Sequence, residues 1–266
     1  MKLTSADSRT ESITALDARY LPAAIVTKSG TSSPFLLLGD HAGREVPPEL
    51  AELGLTETDL ARHIGWDIGV FALGQRLAQA LDATFISQRY SRLVIDCNRD
   101  PTRADAMPEI SDGTPVPGNL ALSQADRATR IAGVFKPYHD CIAAELDARA
   151  ARGMPTVVVS LHSFTPVMQG FKRPWQFGVL HLGGSNFSDA MLAQLRAEAD
   201  RPEVGDNEPY QMDGIDFTVP HHAIGRGLDY VELEVRQDLL ADAAGQQAIA
   251  ERLARVLPAA LADCAG

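Results

Sequence analysis

Cysteine is scarce in this chain. The three present, Cys97, Cys141 and Cys264, are odd in number, widely spaced and form no C-x-x-C pair. That pattern argues against a disulfide framework or a thiolate metal site, and it fits a reducing cytoplasm. Long apolar runs are also missing. The N-terminal stretch MKLTSADSRTESITALDARYLPAAI has no signal-type apolar core, and no later stretch reaches the about 18 consecutive apolar residues of a spanning helix. The expectation is a cytoplasmic protein outside the membrane. Lysine and arginine are nowhere clustered, and the formal charge is −11, so neither nucleic acid nor an anionic membrane is an expected partner. An anionic small molecule is still allowed, because a few arginines inside a cleft outweigh distant surface carboxylates that salt screens. No solenoid-period repeat or low-complexity tract is visible. There is no G-x-S-x-G elbow, so Ser160 and Ser163 support a serine hydrolase poorly. Cys97 has a packing explanation in place of a nucleophilic one.

What is present is an alternation of strand-like and helix-like segments. The apolar fraction, 45%, is ordinary for a globular protein and allows one core. Residues 1–30 read as an N-terminal arm and residues 31–266 as a single domain. PFLLLG (34–39) reads as a strand buried on both faces and opens into the loop DHAGREVPP. Asp67 to Leu81 has helical periodicity, with Asp67 near its start. ATFISQ and SRLVID read as two strands, the second stopped by Pro101. Residues 101–122 form a long insertion of the kind that lines a site. Ser123 to Arg152 is a helix with Ser123 as N-cap, kinked or split at Pro137. TVVVSLH (156–162) is a buried strand, followed by a second long loop, Ser163 to Pro174. WQFGVLHL is a strand and NFSDAMLAQLRAEA a helix capped by Asn186 or Ser188. Residues 201–228 are irregular, DYVELEV (229–235) is a strand, and a helix runs from Asp238 onward. Such alternation implies an α/β domain with polar residues delivered at strand ends.

His41 and His162 each follow a buried strand, so both imidazoles are expected at the carboxyl ends of strands that could be neighbours. Two histidines and a carboxylate are a common ligand set for hydrolytic zinc. Glu45 and Asp67 are both in range for the third position, and spacing does not choose between them. Glu234 interrupts the apolar strand Val231 to Val235 on the same face as Glu232. A carboxylate there suits a general base, and Glu232 reads more simply as a solvated strand acid. Arg236, on the same face again, is a candidate partner for either acid. Arg92, Asn98 and Arg99 form either a carboxylate clamp or structural ion pairs with Asp96 or Asp100.

The strings DHAGREVP, HIGWDIG, SRLVIDCNRDP, SLHS and VELEVRQDLL, in this order over roughly residues 34–240, resemble the motifs of N-formylglutamate amidohydrolases. The resemblance implies a three-layer αβα phosphorylase/hydrolase-like fold with a mixed central sheet, shared with zinc carboxypeptidases and aspartoacylase-type deacylases. It implies cleavage of the N-acyl bond of an acidic amino acid with one zinc ion. By the same resemblance His41 and His162 are metal ligands and Asp67 is preferred to Glu45, because the His41-to-Glu45 interval differs from the carboxypeptidase spacing. Glu234 is the catalytic glutamate. Arg92, Asn98, Arg99, His222 and Ser163 are the substrate-binding set. The partner is then a small N-acyl amino acid, with monomer and homodimer both open. Rival readings are a zinc hydrolase of other N-acyl amino acids or small peptides, and a non-catalytic binding homologue.

Overall fold

Fully buried, largely apolar runs occupy the middle of the sheet. Strand β2, Phe35–Gly39, is buried at every position, and so is β4, Val157–Phe164. Runs of this kind need a layer of structure on each side, because neither face can be left to water. The computed structural model describes residues 21–28, 32–183 and 185–264. Residues 1–20 of the expected arm lie outside them. Ala24–Lys28 of the same stretch forms β1, an edge strand.

The remaining strands are β3, Thr84–Gln88, β5, Phe177–Leu180, β6, Val204–Asp206, and β7, Asp229–Arg236. They assemble in the order β1-β3-β2-β4-β7-β5-β6. β3, β2, β4 and β7 run parallel. β1 is antiparallel to β3, β5 is antiparallel to β7, and β6 is parallel to β5. The sheet is therefore mixed.

Helices α1, Val70–Ala80, α4, Asn186–Ala197, and α5, Ala243–Cys264, pack Leu73, Met191 and Leu253 against Leu37, Val159 and Leu233 on one face. α2, Gln124–Arg130, and α3, Lys136–Ala151, cover the other face, where Tyr138 and Ile142 meet Leu36, Leu38 and Val158. This is the three-layer αβα hydrolase-like architecture. No helix among the described residues is long and apolar enough to cross a membrane.

Several local expectations change. SRLVID is a turn. Leu93, Val94 and Ile95 are buried, but Asn119 Nδ2 and Arg130 Nη1 donate to the carbonyls of Leu93 and Val94. Side chains thus satisfy the backbone in place of a neighbouring strand. A π turn at Ile131–Phe135 joins α2 to α3 immediately before Pro137, widening the helix where proline has no N–H to donate. Ser123 caps α2 through a reciprocal box with Asp126. Ser185, not Asn186 or Ser188, caps α4. Gln237–Leu240 is a separate 3-10 turn, and α5 starts later than the sequence suggests. Residues 201–228 include β6 and a short helical turn, Thr218–His222.

Candidate metal centre and catalytic cleft

Parity along the central strands assembles the site. Leu36, Leu38 and Asp40, then Val158, Ser160 and His162, then Tyr230, Glu232 and Glu234 fall on one face, apolar at the start and polar toward the carboxyl end. β4 runs parallel beside both β2 and β7, with Leu38 opposite Ser160 and Glu234 opposite His162. His162 lies inside β4, two residues before its end, and not after the strand.

The loop following β2 carries His41. Gly43 sits so close to the next segment that a Cβ there would fall 2.0 Å from the Arg89 carbonyl oxygen, which explains a glycine in DHAG. Asp67 is held between the two histidine segments. Its amide donates to the His41 carbonyl at 2.9 Å, and its Oδ2 accepts from the Ser163 amide at 3.2 Å. Gly69, at φ +85, supplies the left-handed residue that turns this loop into α1.

Asp67 Oδ2 lies 3.0 Å from His162 Nδ1 and 3.5 Å from His41 Nδ1. All three residues are buried, and one donor atom from each falls within 4.8 Å of the others. Among the described residues His41 Nδ1 has no hydrogen-bond partner. A lone pair left without a donor in so enclosed a position is what a metal ligand leaves behind, and a two-histidine, one-carboxylate set fits zinc. The far edges of both rings are also engaged. His41 Nε2 lies 2.7 Å from Asp96 Oδ1, and His162 Nε2 lies 3.1 Å from Ser160 Oγ and 3.6 Å from Asp40 Oδ2. Tyr138 in turn donates to Asp40 Oδ1 at 2.8 Å. Proton donation from Nε2 to these groups leaves each Nδ1 as the lone-pair nitrogen.

The electrostatics follow from the crowding. Burial and the Arg92 charge push His41 down, but Asp96 and Asp67 outweigh them and hold it above its ordinary value. Burial opposes the charge on Asp67 as well, yet the two histidines keep it well below the usual carboxylate range. Burial raises Glu234 to about 7, with the Asp67 charge adding to the rise. Burial raises Glu232 to about 8.

A cleft of about 500 Å³ opens onto this group and is lined by His41, Asp67, Arg92, Asn98, Arg99, His162, Ser163, Glu232 and Glu234 among others. Both long insertions contribute to it, through Asp105, Ser111 and Met168. Glu45 is elsewhere, half exposed and paired with Arg89 at 3.1 Å. His222 is also not a lining residue. It is buried behind the cleft, 2.9 Å from His139 Nδ1, and the pair is anchored on the Cys97 carbonyl. Glu232 is buried and not solvated, because β7 is an interior strand and its polar face turns into the cleft. Arg236 pairs with Asp238 rather than with either glutamate.

Arg92 lies 2.7 Å from Asp96 and 3.4 Å from Asp67. Arg99 and Asn98 direct Nη1 and Nδ2 to Asp216 Oδ1 at 2.9 and 3.3 Å. Ser163 Oγ donates to the Ile68 carbonyl at 3.0 Å. Sequence reading missed Asp40 and Tyr210 and took Asp96 only as an ion-pair partner. Asp40 and Asp96 stand in motif strings where a second role could have been sought. Asp216 and Tyr210 come from an irregular segment with no local signal.

The fold and the buried His-Asp-His group define a hydrolase-type α/β protein with a candidate metal centre at the strand ends. The N-formylglutamate amidohydrolase family model matches residues 33–241, and the chain belongs to that family, whose reaction is amide hydrolysis. Among solved structures, the gene product Atu2144 from Agrobacterium tumefaciens is 36% identical, with 97% of this chain and 99% of that one covered and a TM-score of 0.89. N-formylglutamate amidohydrolase from Ralstonia eutropha JMP134 is 18% identical, with coverage of 91% and 98% and a TM-score of 0.61, a likeness of fold. No curated protein matches the chain.

Proposed function

We propose that this protein is a zinc-dependent amidohydrolase that removes the acyl group, N-formyl in the first instance, from an acidic amino acid such as N-formyl-L-glutamate. The observation that carries the reading is the convergence of His41, Asp67 and His162 beside Glu234, all four buried and facing one cleft.

His41, Asp67 and His162 would hold the ion, which when bound supplies Lewis acidity toward a carbonyl oxygen and toward water. Glu234 acts as the base. Its Oε2 is buried without a hydrogen-bond partner among the described residues, it stands opposite His162 in register, and a carboxyl raised toward neutrality takes and returns a proton readily. It removes a proton from the attacking water and later delivers it to the nitrogen of the breaking C–N bond, giving formate and the free amine. Arg92, its guanidinium anchored by Asp96 and Asp67, adds positive charge where the carbonyl oxygen becomes anionic. Asp96 and the Ser160–Asp40 pair keep the histidine rings turned toward the ion.

Asn98 Nδ2 and Arg99 Nη1 line the same cleft but are directed at Asp216, whose charge offsets that of Arg99 and weakens the pair as a receiver of a substrate carboxylate. The test is metal analysis of purified protein together with turnover of N-formyl-glutamate against N-acetyl- and N-succinyl-amino acids. Stoichiometric zinc and preference for the formyl acidic substrate are expected. A metal-free protein without turnover would sink the reading.

A further inference from the structure

Arg173 follows the hairpin Val167–Met168/Phe171–Lys172 and is 7% exposed. Its guanidinium lies between two rings, 5.7 Å from the Phe164 centroid and 4.8 Å from that of Tyr210. Nη1 donates to the Thr165 carbonyl at 3.3 Å, Thr165 Oγ1 at 3.1 Å and the Tyr210 hydroxyl at 3.1 Å. Among the described residues no carboxylate lies within salt-bridge distance of it, and Nε and Nη2 have no hydrogen-bond partner. Arg92 and Arg99, by contrast, are each neutralised by an aspartate.

A buried guanidinium without a counter-charge is unfavourable, and cation–π contacts offset only part of the cost. A missing anion is the simplest remainder. Phe164 is two residues beyond His162 on β4, and Tyr210 lines the cleft with Glu234 and Arg92, while Arg173 stands behind it and reaches the cleft through the Tyr210 hydroxyl. The Tyr210 oxygen accepts from Arg173, so its own O–H proton is free to point at a ligand.

We infer that Arg173 and Tyr210 together receive a carboxylate of the substrate, Tyr210 donating its hydroxyl proton to it and Arg173 supplying the opposing charge. The inference rests on the proposed amidohydrolase reading. It assigns to these two residues the recognition that the Asn98–Arg99 pair, occupied by Asp216, does not supply. It makes the preferred substrate an acyl amino acid whose carboxylate points toward the β4 end of the cleft and away from the 97–99 turn.

The test uses metal-loaded enzyme and three substrates: N-formyl-glutamate, its α-carboxamide and its side-chain carboxamide. Arg173→Gln and Tyr210→Phe are expected to raise KM for N-formyl-glutamate by roughly 10- to 100-fold, the range for losing a charge-assisted hydrogen bond. They should leave KM unchanged for whichever carboxamide lacks the recognised group, which also tells the α-carboxylate from the side-chain one. An equal rise for all three substrates would reduce both residues to packing and overturn the inference. If Arg173→Gln does not fold, the half-exposed Tyr210 carries the same comparison through Tyr210→Phe. If no acyl amino acid is turned over at all, the amidohydrolase reading fails separately. Binding of glutarate, followed by tryptophan fluorescence from the nearby Trp175, then decides the carboxylate site by itself: weakening in both variants supports it, and unchanged binding overturns it.

Discussion

Asp96 Oδ1 lies 2.7 Å from His41 Nε2, on the opposite edge of the imidazole from the Nδ1 that faces Asp67. The same carboxylate accepts from Arg92 through its other oxygen and from the Asn98 amide. One side chain therefore orients the His41 ring and anchors the guanidinium beside it. Asp96→Asn should keep the shape and lose the acceptor strength, lowering metal affinity by about 10- to 100-fold. Competition with a chelator measures this, and an unchanged affinity would show that His41 does not depend on Asp96.

Gly43→Ala addresses the loop that aims His41. The added Cβ would meet the Arg89 carbonyl at 2.0 Å and the Gln88 carbonyl oxygen at 2.5 Å, both backbone atoms that cannot rotate away. Overpacking of this kind costs about 1–3 kcal/mol, and the displaced loop should also bind metal more weakly. Thermal unfolding with and without metal checks both effects. A variant as stable as the parent with full metal affinity would contradict the geometry.

Glu234 and Glu232 separate the base from its neighbour. Both are buried on the same face of β7, but Glu234 stands opposite His162 and Glu232 opposite Ser160. Glu234→Gln is expected to lower kcat by about 10²- to 10⁴-fold, the usual contribution of a positioned acid–base group, with metal content retained. Glu232→Gln should keep most of the turnover. Equal losses in the two variants would remove the assignment.

The His139–His222 pair predicts a pH dependence of stability. Burial holds His139 at about 4 and His222 at about 3. For His139, Asp40 opposes that fall and His221 adds to it, while for His222 the His139, His221 and Arg226 charges add to the depression. Because the folded values lie below the ordinary 6.5, the unfolded chain takes up protons first as the pH falls. The contribution is fully present above about pH 6.5 and is lost toward pH 4, on the order of 3 kcal/mol for His139. His222→Gln should flatten this acid limb in urea unfolding followed against pH. An identical slope in parent and variant would argue against the pair.

The sequence by itself determined the strands that carry chemistry. PFLLLG and TVVVSLH are dominated by consecutive apolar residues, which dictates burial on both faces and sets His41 and His162 near strand ends. The VELEV alternation puts Glu232 and Glu234 on one side. These are local consequences of period and burial, and the ordered motifs tied them to a family. SRLVID is apolar at its centre and is not a strand, because the partners of its Leu93 and Val94 carbonyls are the side chains of Asn119 and Arg130, distant in the chain and invisible to a local pattern.

Tertiary structure alone decided which carboxylate joins the histidines. Glu45 is the nearer of the two to His41 along the chain, but only Asp67 is tied to both the His41 and Ser163 segments, while Glu45 turns to Arg89. It also decided that His222 sits behind the cleft, that Asp216 bonds to the Asn98–Arg99 pair, and that Arg173 is buried against Tyr210 without a carboxylate among the described residues. Each of these depends on which residues meet across more than 20 positions of chain. Charge pairing and burial are properties of that meeting, and no periodicity records them.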